Sequence, residues 1–133
     1  MGPGMVDVID GLHAVTLHVR DARASRSYYR DVLGLSEVSF DEAANRAVFA
    51  LPGTTTLLTM HVQGPQEGGR EPGTVSGIVF RVADPVAACA EIVRRGGIVT
   101  GEPHEAEFAG RRFYRAVIAD PDGNEFILSN RRD

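Results

Sequence analysis

Apolar residues alternate at Val15, Leu17 and Val19, the period of a strand with one buried face. A helical spacing follows, with Ala24, Tyr28 and Val32 on one face. Asp21 stands where a side chain can cap that helix, and Gly34 where a glycine can end it. The same order recurs from Ile78. Ile78, Phe80 and Val82 alternate, Asp84 can cap, and Pro85 suits a first helical turn. Val86, Cys89, Ile92 and Val93 make an inner stripe, and Gly96–Gly97 closes it. The segments 36–41, 45–51 and 55–62, and again 98–100, 112–119 and 124–130, read as strands. The polar stretch 101–110 reads as a loop.

This recurrence is an internal repeat. At an offset of 63, VTLHVRDARASRSYYRDVLGL (15–35) lies over IVFRVADPVAACAEIVRRGGI (78–98) without a gap. RAVFALP (46–52) lies over RAVIADP (115–121) at 69, with five of seven residues identical. An offset of 70 then sets TTTLLTM (54–60) over NEFILSN (124–130). The expected organisation is one domain over 1–133, built from a first unit at 11–63, a polar linker at 64–73 and a second unit at 74–130. The N-terminal ten residues are expected to be loose.

A chain of 133 residues can bury a real core. Its net charge of −4 gives no basic footprint, which argues against nucleic acid as partner. No apolar run is long enough to span a membrane, and MGPGMVDVID lacks the layout of a signal peptide. Cys89 is the single cysteine, so an internal disulfide framework is excluded. A cytoplasmic location is the expectation.

Two copies of strand–helix–three strands resemble the vicinal oxygen chelate superfamily, which holds glyoxalases, extradiol dioxygenases and bleomycin-resistance proteins. LHAVTLHVRDARASRSYYRDVLGL (12–35), IVFRVAD (78–84) and ADPDGNEFILSN (119–130) carry the likeness. The resemblance implies an α+β fold of two tandem βαβββ units whose mixed sheets curl into a ligand groove, with helices outside. It also implies a homodimer, and a central metal held by a first-strand and a last-strand residue of each unit.

The resemblance sets the first-strand ligand seven residues before the helix-opening Asp, which is Ala14, with Gly77 as its repeat partner. It sets the last-strand ligand four residues after the Gly of DPDG, which is Ile127. The offset of 70 makes Leu57 its partner. A transition metal needs nitrogen, oxygen or sulfur donors at about 2.0–2.3 Å, and these four side chains have none. His18 and His61 share the groove face, but four strand residues displace them by about 13 Å from that centre. His13 is expected to face the helix side. No metal or other cofactor is expected.

The reading is therefore metal-independent binding of a small, partly apolar molecule, an antibiotic or a metabolite, in the manner of bleomycin-resistance proteins. Ala14, Leu57, Gly77 and Ile127 would form the floor. Thr16, His18, Thr59, His61, Arg81 and Glu125 would supply polar contacts, with Val79 on the same face. Arg131 is the expected repeat partner of His61. His104 is expected on a surface loop, and Phe108, Phe113 and Tyr114 are candidates for stacking. The alternative is a lyase, isomerase or dioxygenase of the same superfamily with a displaced metal or none. Glu125 would then be its candidate general base.

Overall fold

Asp21 and Asp84 do cap their helices. Each sits in extended backbone, and its carboxylate accepts a hydrogen bond from a first-turn N–H: Arg23 at 3.1 Å for Asp21, Val86 at 2.9 Å for Asp84. These caps set the rhythm of a computed structural model that describes residues 8–62 and 71–132. The first unit runs β1 (Ala14–His18), α1 (Ala22–Ser27), β2 (Ser36–Asp41), β3 (Arg46–Ala50) and β4 (Leu57–His61). The second runs β5 (Ile78–Arg81), α2 (Pro85–Arg94), β6 (Ile98–Phe108), β7 (Arg111–Ala119) and β8 (Glu125–Ser129). Both sheets are mixed, in the orders β1-β4-β3-β2 and β5-β8-β7-β6, with one parallel pair at each start. The fold is α+β, two βαβββ units in tandem. Within the expected linker, residues 64–70 lie outside the described residues, as do residues 1–7 of the N-terminal stretch.

Three local expectations differ. Residues 101–108 belong to β6 and pair with β7 in a long hairpin, turned at Ala109 and Gly110 in the left-handed region. Their polarity reflects exposure rather than absence of a strand, since GEPHEAEF lies over no core. Beyond Ser27 the first helix widens into a π turn over Tyr28–Val32. The inward residues are therefore Ala22, Ser25, Tyr28 and Tyr29, while Ala24 is exposed. On α2 the buried stripe is Pro85, Cys89 and Ile92, and Val86 and Val93 lie exposed.

One core joins the units. Tyr29 lies 6.0 Å from Phe49 of β3 and 6.1 Å from Phe126 of β8, centroid to centroid, and Phe80 stacks on Phe126 at 4.8 Å. Beside it sits a buried polar knot. The Asp120 carboxylate accepts four hydrogen bonds: from the N–H of Asp122 (3.0 Å) and of Asn124 (2.8 Å), from Asn124 Nδ2 (2.9 Å), and from the Tyr29 hydroxyl (2.5 Å). Asp122 reaches back to the first unit, accepting from the Arg20 guanidinium at 3.0 Å and the Ser25 hydroxyl at 2.9 Å. Asn124 Nδ2 also donates to the His18 carbonyl at 3.3 Å. Gly73 passes so close that a Cβ there would fall 1.9 Å from the Asp122 carbonyl oxygen. The DPDGN turn thus bolts the second unit onto the start of the first helix.

Tyr29→Phe leaves the buried Asp120 oxygen one donor short. An unmet buried acceptor costs about 1–3 kcal/mol, and urea unfolding is expected to show a loss of that size. Burial first, and the neighbouring Asp120 charge second, raise the Tyr29 phenol far above its ordinary 10.0. The unfolded chain ionises first, so this contribution is complete below pH 10 and is lost as pH climbs through and beyond it. Melting temperatures measured between pH 8 and 11 should fall more steeply for the wild type than for Tyr29→Phe. Gly97→Ala would place a methyl 2.6 Å from Ile92 Cγ2 and 2.9 Å from Val32 Cγ1. Overpacking at a helix junction costs about 1–3 kcal/mol, which the same urea titration would read.

Candidate functional site

Alternation sends Leu17, Leu58, Met60, Ala47 and Phe49 of the first sheet into the core. Their neighbours face the other way and build the open face level by level. The register sets Ala14 beside Leu57 and Ala50, then Thr16 beside Thr59 and Val48, then His18 beside His61 and Arg46. The expected set Ala14, Thr16, His18, Leu57, Thr59 and His61 therefore shares one face. A trough of about 510 Å³ lies on it, lined by Ala14, Thr16, Leu57, Thr59, Val48 and Arg46, with Ser39 and Asp41 on the β2 side. His13, expected on the helix side, also lines the trough. It precedes β1, so strand alternation does not govern it.

The second sheet repeats the plan. Val79 lies beside Ile127 and Val117, and Arg81 beside Ser129 and Arg115. Gly77 and Glu125 fall one level earlier on the same face, by alternation from Val79 and Ile127. On β7 the open face is thus Phe113, Arg115 and Val117, while Ala116 and Ile118 enter the core. Glu125 is exposed, and its carboxylate accepts from the Thr100 hydroxyl at 3.3 Å.

These registers correct one equivalence. Val48 and Val117 match through the RAV repeat, and they pair with Thr59 and Ile127 respectively. The partner of Ile127 is therefore Thr59, two residues beyond Leu57, and the offset is 68 rather than 70. The turn between β7 and β8 is one residue shorter than that between β3 and β4, not one longer. A shift of two residues preserves the face of every side chain, so the apolar pattern could not reveal it. Leu57 matches Glu125, and His61 matches Ser129 rather than Arg131. Arg131 instead lies over the rings of Phe108 (4.8 Å) and Phe113 (5.7 Å).

Carried through this register, the positions that the resemblance sets as metal ligands become Ala14, Thr59, Gly77 and Ile127. One neutral hydroxyl is their whole donor set, which does not fit a divalent metal ion. No group of three His, Cys, Asp or Glu stands close enough to hold an ion elsewhere among the described residues. His18 and His61 do stand side by side across β1 and β4.

Arg46 and Arg115 are site residues that sequence reasoning missed. Their signal was present, since each opens a copy of the RAV repeat, but only the register shows that both reach the open face. His104, expected on a loop, is an exposed strand residue paired with Arg115, and its Nδ1 lies 3.1 Å from the Glu102 carbonyl oxygen. A larger concavity of about 610 Å³ runs along the outer edge of β5. Val32, Leu51, Phe80, Ala88 and Ile92 are among its walls, and none of the four inner positions borders it.

Comparison with known proteins agrees with this architecture. Virulence protein STM3117 of Salmonella typhimurium is 26% identical over 127 residues, covering 92% of this chain and 85% of that protein. A superfamily member from Sphaerobacter thermophilus has a crystal structure that matches with a TM-score of 0.75 at 28% identity, covering 91% of this chain and 97% of that one. TnmS3, an antibiotic binding protein from Streptomyces, shares the fold with a TM-score of 0.77 at 23% identity, covering 92% and 97% of the two chains. The model of the Glyoxalase/Bleomycin resistance protein/Dioxygenase superfamily matches residues 11–128, and the chain belongs to that superfamily.

Proposed function

We propose that this protein binds a small, partly apolar molecule on the open faces of its sheets, without a resident metal ion. The donor set carries this reading. Where superfamily members place metal ligands, this chain has Ala14, Thr59, Gly77 and Ile127, which offer contact surface rather than coordination. The trough on the first sheet grades from Ala14 and Leu57 to the hydroxyls of Thr16 and Thr59. Such a surface suits an apolar body with a few polar substituents. The fold shared with an antibiotic binding protein supports an antibiotic or a metabolite of similar build as ligand.

We further propose that the working form is a homodimer in which a second copy covers these open faces. β1 and β5 are outer strands of their sheets, and Val38, Val79 and Ile98 stand more than half exposed. Unpaired edges and exposed apolar side chains are surfaces that a partner covers.

Protein purified without chelator is expected to carry zinc, nickel, manganese and iron far below one ion per chain. Elemental analysis near stoichiometry would overturn the metal-independent reading. Against a panel of antibiotics and metabolites, some compounds should raise the melting temperature saturably. Thr59→Trp fills the trough and should weaken that binding by about tenfold or more, by the steric logic of an overfilled pocket. Sedimentation equilibrium should return the mass of two chains.

A further inference from the structure

One level past Val79, Ile127 and Val117, the open face of the second sheet brings two arginines to one level. Its register sets Arg81, Ser129, Arg115 and His104 in one row across β5, β8, β7 and β6. Adjacent strands lie about 4.8 Å apart, so two arginines flank Ser129. Most other arginines here are matched: Arg20 with Asp122, Arg26 with Glu37, Arg30 with Asp31, Arg94 and Arg95 with Glu91. Among the described residues, Arg81 and Arg115 have no carboxylate partner. Arg115 is half-buried, and its Nε is shut from solvent with no hydrogen-bond partner among the described residues. A guanidinium cannot shed its charge, so this donor awaits an acceptor. Ser129 Oγ already accepts from the Arg131 N–H at 3.0 Å, which leaves its own hydrogen to donate.

We infer that this row is the seat for an anionic head group, so that the ligand is an amphipathic anion: a carboxylate or phosphate on an aromatic or aliphatic body. This rests on the binding reading above and narrows it. The head sits among Arg81, Ser129 and Arg115, and the body lies along Val79, Ile127 and Val117. Glu125, exposed at the opposite end of β8, repels the head from that end and sets the orientation. The matching row of the first sheet, His18, His61 and Arg46, ends on Asp41, whose carboxylate would repel an anionic head, so the second sheet is the stronger seat.

The test uses the whole chain with 2-naphthoate, 2-naphthyl phosphate and the neutral isostere 2-naphthamide. Calorimetry gives the affinities, and ¹⁵N NMR follows the arginine Nε–H signals. At least one anion should bind about tenfold or more tighter than the amide, as charge-assisted bidentate pairing to arginine implies. The Arg115 Nε–H signal should move with saturation. Arg115→Gln should erase most of the gap between anions and amide. Arg81→Gln, at an exposed position, should reduce the gap whether or not the Arg115 variant folds. Equal affinity for anions and amide would overturn the anionic seat and leave the groove-binding reading standing. Absence of saturable binding by all three would overturn both. A gap that survives both substitutions would overturn the placement on this row.

Discussion

The Asp120 carboxylate, nearly sealed from solvent, organises this molecule. A buried charge is tolerated only where donors surround it. Asp120 gathers two backbone N–H groups and the Asn124 amide from its own turn, and the Tyr29 hydroxyl from the other unit. The turn is held taut by the first two contacts, and the two units are held together by the last. Asp122 and Asn124 extend the same turn to Arg20, Ser25 and the His18 carbonyl. A motif that marks a tight turn in the sequence is, in the fold, the fastening between two units.

That fastening has a consequence for the open faces. With the helix sides of both sheets committed to one core, residues of the other sides are free to differ from their repeat partners. They do so in a graded way. Each sheet carries basic side chains at one end of its open face. In the first sheet Ala14 and Leu57 give way to His18, His61 and Arg46. In the second, Val79 and Ile127 give way to Arg81 and Arg115.

Much of this was legible in the residues. The duplication, both caps, the glycine stops and the face of every proposed groove residue follow from periods of 2 and 3.6 and from capping chemistry. Other features were not, and three of them show why. β6 extends through 101–108 because exposed hairpin arms need no apolar alternation, so their sequence carries little strand signal. The buried stripe of α2 keeps Cys89 and Ile92 of the apolar pattern but takes Pro85 in place of Val86 and Val93, because packing against the sheet selects which face turns inward. The equivalence of Thr59 with Ile127 stayed hidden because a strand shifted by two residues presents the same face.

The sequence by itself determined which residues alternate and where helices begin and end. These depend on contacts between near neighbours along the chain. Only the tertiary structure decided that Arg115 stands level with Arg81 and Ser129, and that Tyr29 meets Asp120 at a separation of 91 positions in the chain. Cross-strand level is set by hydrogen-bond register and turn length, and meeting across units by packing. Neither leaves a periodic trace in the order of residues.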